Sequence, residues 1–271
     1  MPSFLNDGKT PSGPRIRHKP LACGNGRDYH GRMKTLGILG GMGPEASVRF
    51  LELVIRNTEA AGDRDHIPAV LYSRPQVPDR TAAILRDGES PVPWLAEGIA
   101  ALEAAGADIL VMPCVTAHHF WPQVAARARR PFVNILEEAL RELREIRPEI
   151  RTVGLLATTG TLMSRVVHAV FEPAGMKILT PSNEDQELVM TAVFGKDGIK
   201  AGSIEGRPCD IIRAVAGRLI EAGAEAVMAG CTEIPLVLRD GDLSVPFVEP
   251  MRAGARACIR EAGGRLKPRS P

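Results

Sequence analysis

From Lys34 onward, short runs of almost uniformly apolar residues alternate with longer stretches whose apolar positions recur every three or four residues. The short runs fall at residues 35–39, 70–73, 108–112, around Phe132, and at 152–156, 176–179, 226–229 and 245–248. Runs this short and this apolar predict strands buried on both faces, as in parallel sheets. The stretches between them predict helices over residues 44–61, from Asp79, over 93–105, from Thr116 to about Ala128, and over 136–146. Further helices follow at 162–171, 184–194, 209–222 and 250–262. Pro44 suits a first helical position and Asp79 an N-cap. Strands alternating with helices imply parallel βαβ units with right-handed crossovers, an α/β chain.

The pattern occurs twice. Gly106-Ala107-Asp108 precedes one apolar run and Gly223-Ala224-Glu225 another, and a cysteine follows each glycine by eight residues, at Cys114 and Cys231. Thr35-Leu36-Gly37-Ile38-Leu39 returns at the same offset of 117 as Thr152-Val153-Gly154-Leu155-Leu156. Pro131-Phe132-Val133 returns as Pro246-Phe247-Val248, 115 residues on. Repeats at nearly one offset imply two similar halves, each contributing one cysteine where they meet. The expected partition is residues 34–131 with 245–271 in one lobe and 132–244 in the other.

Composition narrows the function classes. The chain of 271 residues has a net charge of +2, too small to suggest a nucleic-acid partner. The positive surplus lies in residues 1–33, where Lys9, Arg15, Arg17, Lys19, Arg27 and Arg32 face only Asp7 and Asp28, leaving a slightly acidic body. That Gly-, Pro- and Arg-rich segment lacks periodicity and is expected to be a disordered basic tail. No apolar run has the length of a membrane span, and no secretory leader is evident, so neither a membrane nor export is expected. Five cysteines without paired spacing point to free thiols in a reducing, cytoplasmic setting.

In a parallel sheet, ligands gather beyond the carboxyl ends of the strands. Cys114 and Cys231 both stand there, just before a predicted helix, where backbone N–H groups favour a thiolate and are expected to lower its pKa. Thr116 and Thr232 place a hydroxyl beside each. Two thiols on facing lobes suit removal of a proton from one face of a carbon and delivery of another to the opposite face. Cys23, Cys209 and Cys258 lack this setting. Arg80, Arg74 and Lys200 lie near strand ends or glycine-rich loops and could grip an acidic substrate. Gly41-x-Gly43-x-x-Ala46 also fits a dinucleotide fingerprint, but Asp63 and Asp65 precede the next strand instead of ending it. The repeat sets this loop opposite Thr158-Thr159-Gly160, which favours a small ligand between the lobes. His118-His119 lacks neighbouring carboxylates and makes a poor metal site, and none is expected. His66 is expected to be a hydrogen-bonded structural residue.

The motifs 35–44 (TLGILGGMGP), 75–81 (PQVPDRT), Met112-Pro113-Cys114 with Thr116-Ala117-His118, 155–161 (LLATTGT) and Gly230-Cys231-Thr232-Glu233 together resemble the aspartate/glutamate racemase family, its aspartate branch most closely. The similarity runs in order over about residues 34–264. It implies two Rossmann-like lobes enclosing the active site and a mechanism without pyridoxal or any other cofactor. It further implies that Cys114 and Cys231 are the acid/base pair, that Arg80 and Lys200 hold substrate carboxylates, and that Met42, Thr116, Ala117, Thr232 and Glu233 line the pocket. Many members are homodimers.

Two departures bear on the substrate. Val115 stands where the family has an asparagine, and Ser73-Arg74 where the branch has two asparagines. Loss of a polar contact can change discrimination by orders of magnitude, and an added guanidinium could grip a further carboxylate. Val115 and Arg74 are therefore the candidate specificity positions, and the expected substrate is aspartate or a related acidic amino acid. The alternatives are an isomerase or decarboxylase acting on a dicarboxylate on the same scaffold, and a two-lobed protein that binds an amino acid without reacting.

Overall fold

The computed structural model describes residues 32–268. The expected basic tail and Cys23 therefore lie outside the described residues, apart from Arg32 and Met33, and Met33 packs against the main core.

Two four-stranded parallel sheets carry the fold. The first contains β1 (Leu36–Gly40), β2 (Ala69–Ser73), β3 (Ile109–Val111) and β4 (Phe132–Val133) in the order β2-β1-β3-β4. The second contains β5 (Thr152–Leu156), β6 (Lys177–Leu179), β7 (Ala226–Ala229) and β8 (Phe247–Val248) in the equivalent order β6-β5-β7-β8. β1, β3 and β7 are buried throughout, and β5 at all but Thr152, as their largely apolar sequences require. Parallel pairing sets Ile38 beside Val111 in one sheet and Leu156 beside Ala229 in the other. Both cysteine loops thus leave from the carboxyl end of a central strand.

The repeat has a mechanical basis. The helices preceding β3 and β7, α3 (Val92–Ala104) and α9 (Arg207–Glu221), end on Gly106 and Gly223 at φ 88° and 98°. The N–H of Ala107 returns to Leu102 O and that of Ala224 to Leu219 O, the paired bonds that close a helix over a left-handed glycine. The next residue is acidic in both halves. Asp108 Oδ2 accepts from Thr35 N at 3.0 Å, and Glu225 Oε2 accepts from Thr152 N at 2.8 Å. Each carboxylate fastens the start of the neighbouring central strand.

The other helices are α1 (Pro44–Asn57), α2 (Arg80–Leu85), α4 (Trp121–Ala125), α5 (Ile135–Ile146), α6 (Thr159–Ser164), α7 (Val166–Phe171), α8 (Asn183–Phe194), α10 (Ile234–Val237) and α11 (Pro250–Ala262). Three depart from expectation. α1 stops at Asn57 rather than Ala61, because Thr58 bonds back to Val54 O and bridges Leu266. The helix expected from Thr116 is a 3-10 turn, Thr116–Phe120, followed by the short α4. Pro122 has no N–H to continue an α-helical ladder there. The helix expected over 162–171 is broken into α6 and α7 by Arg165 at φ 52°.

The lobe boundaries also differ from the expected partition. Phe132–Val133 pairs with β3, completing the first sheet, and Phe247–Val248 pairs with β7, completing the second. Strand pairing ignores chain order, so each lobe keeps its fourth strand before the chain crosses over. α11 then returns to pack on α1 and α5.

The lobes touch where α2 meets α6. A Cβ on Gly160 would lie 2.4 Å from Thr81 Oγ1 and 2.9 Å from its Cγ2. Thr81 is β-branched and cannot swing clear. Gly160→Ala is expected to destabilise the fold by about 1–3 kcal/mol, and Thr81→Ala in the same chain to recover only part of that, because the Cβ at 81, 2.9 Å from the new methyl, remains; denaturant midpoints read both.

Candidate active site

The two strand-end cysteines open into one cleft of about 190 Å3. It is lined by Met42, Asp79, Arg80, Thr81, Cys114, Val115 and Thr116 from the first lobe, and by Thr158, Phe194, Lys200, Gly230, Cys231, Thr232 and Glu233 from the second. That volume lies below the roughly 300–1,000 Å3 of sites for drug-sized ligands, which favours a small metabolite over a dinucleotide. A second cleft of about 150 Å3, reaching Gly43, Pro44 and Arg49, shares Lys200, Thr232 and Glu233 with the first.

Glu233 organises the second-lobe side. One carboxylate oxygen accepts from Lys200 Nζ at 2.5 Å. The other accepts from Cys231 Sγ at 2.8 Å and from Thr232 Oγ1 at 2.9 Å. Burial pushes the Glu233 carboxyl up, but Lys200 and the hydrogen bonds from Cys231, Lys200 and Thr232 outweigh it and hold the group ionised. Burial works against the Lys200 charge in turn, yet the charge and hydrogen bond of Glu233 raise its pKa. Cys231 behaves contrary to expectation. Burial and then the Glu233 charge push its thiol well above the usual range, with Lys200 pulling weakly the other way. The helix following it, α10, has only four residues and begins after Glu233, so a helix terminus does little for this thiol.

The first-lobe side is held differently. His118 Nδ1 donates to the Cys114 carbonyl at 2.8 Å, while its ring stacks on Trp121 at 5.1 Å. Burial lowers the His118 pKa to about 4, which keeps the ring neutral. Thr116 Oγ1 meets Thr161 Oγ1 at 2.8 Å, and Thr161 meets Thr158 at 3.2 Å, a chain of hydroxyls running from one lobe into the other. Arg80 is anchored by Nη1 to the carbonyls of Val77 and Pro78. Its Nε is buried without a protein acceptor, a donor suited to an anion in the cleft.

Most of the expected site residues meet here, and two do not. Arg74 is turned outward, bonded to Glu97 and stacked over Trp94 at 4.2 Å. Its backbone packs under the glycine loop, where a Cβ on Gly41 (φ 96°) would come within 2.4 Å of it. Ala117 is fully buried beneath the loop and does not line the cavity. The Gly41 N–H, which a dinucleotide would require, is bonded to Ser47 Oγ at 2.8 Å. His66 Nδ1 is buried without a partner, so the expected hydrogen bond is not made at that nitrogen. Cys209 and Cys258 are buried on α9 and α11, outside the cleft lining. Among the described residues, no group of three or more His, Cys, Asp or Glu could hold a metal ion. Asp79, beyond its place as an N-cap, and Thr81 and Thr161 stand in the sequence only as members of family motifs, without a role of their own at the site, and Phe194 carries no sequence signal for the cleft. Phe194 is a half-exposed apolar residue at a helix end, a signal that sequence shares with many surface positions.

A family model for Asp/Glu/Hydantoin racemases matches residues 39–258. The chain belongs to this family. It is accordingly an isomerase, an amino-acid racemase by family. Among curated relatives, the broad specificity amino-acid racemase RacX of Bacillus subtilis is 23% identical over 230 residues, 83% of this chain and 96% of that protein. Among solved structures, the aspartate racemase of Picrophilus torridus superposes with a TM-score of 0.76 at 30% identity, covering 86% of this chain and 96% of its own. An aspartate racemase homologue from Pyrococcus horikoshii gives 0.70 at 25% identity over 85% and 99%. The two-lobed α/β fold is thus that of the racemase family. No described helix is long and apolar enough to cross a membrane.

A buried imidazole with a pKa of about 4, against about 6.5 unfolded, must take up its proton at a cost as the pH falls. Its contribution is intact above about pH 6.5 and is lost progressively as the pH drops toward 4, on the order of 3 kcal/mol in all. His118→Gln is expected to flatten the fall in melting temperature across that window relative to the parent protein, as measured by circular dichroism.

Proposed function

We propose that the protein inverts the α-carbon of aspartate or a related acidic amino acid by proton transfer between Cys114 and Cys231. The observation that carries this reading is the opening of both strand-end thiols, one from each lobe, into a single cleft together with Arg80 and Lys200. A thiolate on one face of Cα removes the proton, and the thiol on the other face supplies one. Without pyridoxal as an electron sink, this reading needs the site itself to stabilise the α-carbanion while the two cysteines handle the proton steps. Arg80 and Lys200 hold carboxylates, and N–H groups after Met42 and around Thr116 and Thr232 stabilise the enolate-like charge that develops. Similarity to the Picrophilus torridus aspartate racemase supports the substrate class.

Val115 favours a second, broader reading. Its isopropyl group lines the cleft beside the candidate base, with Phe194 at the other side, so part of the wall is apolar. Such a wall would accept substrates less polar than aspartate. Likeness to the broad-specificity Bacillus subtilis racemase points the same way. The working unit proposed is a cytoplasmic homodimer, which size-exclusion chromatography with light scattering tests for assembly.

Proton NMR of L- and D-amino acids in deuterated buffer with reductant tests the reaction. The α-proton signal of a substrate is expected to vanish as the opposite enantiomer grows. Cys114→Ser and Cys231→Ser are each expected to slow this by about 10²–10⁴-fold. Binding without exchange in the parent would favour an amino-acid-binding protein, and loss of CO2 or double-bond isomerisation would favour the dicarboxylate enzymes. Val115→Asn is expected to raise kcat/KM for aspartate by about tenfold or more relative to apolar amino acids. An unchanged ratio would remove Val115 as a specificity residue.

A further inference from the structure

The two cleft thiols have different surroundings. Cys231 Sγ donates to Glu233 Oε2 at 2.8 Å, and that carboxylate belongs to the same turn and is itself buried. Cys114 is held through its backbone carbonyl by the neutral ring of His118. The charged groups facing Cys231 from the elements around it are Glu233, Lys200 from the loop after α8, and, across the cleft, Arg80 and Asp79. Lys200 meets Glu233 first, at 2.5 Å, so its charge is largely taken up there.

We infer that Glu233 is a positioning residue that makes the two thiols unequal, holding Cys231 as the protonated member and leaving Cys114 to supply the base. A carboxylate that accepts the S–H bond would lie against a second negative charge if the thiol ionised, and in a buried site that repulsion is weakly screened. The resting protein is therefore loaded in one sense. Cys114, as thiolate, receives the α-proton, and Cys231 delivers its own proton to the opposite face. One proton is taken up and one released, and Glu233 is unchanged. Regeneration requires Cys231 to regain a proton and Cys114 to lose one. The donor role rests on the two-thiol racemase reading; the protonation of Cys231 does not. An enantiomer whose α-proton faces Cys231 must find the minority state, and its apparent KM is raised by the inverse of that state's population. The KM values of the two enantiomers are thus expected to differ in the parent protein, with kcat differing in the same ratio because the equilibrium constant of racemisation is one, and to converge in Glu233→Gln.

Carbamidomethylation of the full-length protein with iodoacetamide across the pH range tests the inference without reference to turnover. Mass spectrometry quantifies Cys231 and Cys114 in one digest, and each profile is scaled to its own plateau to remove differences in access. Glu233→Gln is expected to move the Cys231 midpoint down by at least about one pH unit, equivalent to tenfold faster alkylation below the midpoint. Lys200→Met is expected to move it up, which gives a variant of opposite sign should the first fail to fold. A Cys231 midpoint that stays fixed or rises in folded Glu233→Gln, or one that falls in Lys200→Met, overturns the inference. If no amino acid is racemised by the parent while the midpoints move as stated, the functional reading fails and the protonation of Cys231 stands.

Discussion

A strand buried on both faces cannot expose its backbone sideways, so β1 and β3, and likewise β5 and β7, pair in parallel through the middle of their sheets. That constraint governs everything at the cleft. Parallel pairing sends the carboxyl ends of each central pair toward the same edge, and the loops leaving those ends carry the glycines, threonines and cysteines. The acidic residue that opens β3 or β7 fastens the start of its neighbour, so register and loop position are set together. Two copies of this unit face each other, and the cleft lies between them.

Electrostatic inequality is laid over this near-symmetry. The fold repeats its strands and helix ends, but not the groups around the thiols. On one side a neutral imidazole, stacked and buried, holds the loop by its backbone. On the other a carboxylate gathers a lysine, a thiol and a hydroxyl. Duplicated scaffolds make such divergence easy, since a side chain in a strand-end loop can change while the sheet beneath it does not. A racemase must handle mirror-image substrates, yet nothing requires the two faces of its site to be built from the same groups.

The sequence by itself determined the α/β class, the strand positions and the repeat, because uniformly apolar runs and a glycine eight residues before each cysteine are local signals with local causes. It also singled out Cys114, Cys231, Arg80, Lys200, Thr116, Thr232 and Glu233, which line one cleft. Helix lengths were less legible. Pro122 and Arg165 interrupt patterns whose apolar spacing runs straight through them, since spacing reports burial and not the hydrogen-bond ladder.

Only the tertiary structure decided which strand completes which sheet, because pairing joins residues far apart in the chain and leaves no mark at either one. It also decided the direction of Arg74, whose guanidinium is held by Glu97 and Trp94 instead of entering the cleft. The protonation of Cys231 belongs here as well. A strand-end cysteine before a helix promises a stabilised thiolate, but burial reverses the sign, and the carboxylate two residues on, folded back to 2.8 Å, adds to it. Sequence supplies which groups are near in the chain; the energy of a charge depends on every group near it in space and on how far water is kept away.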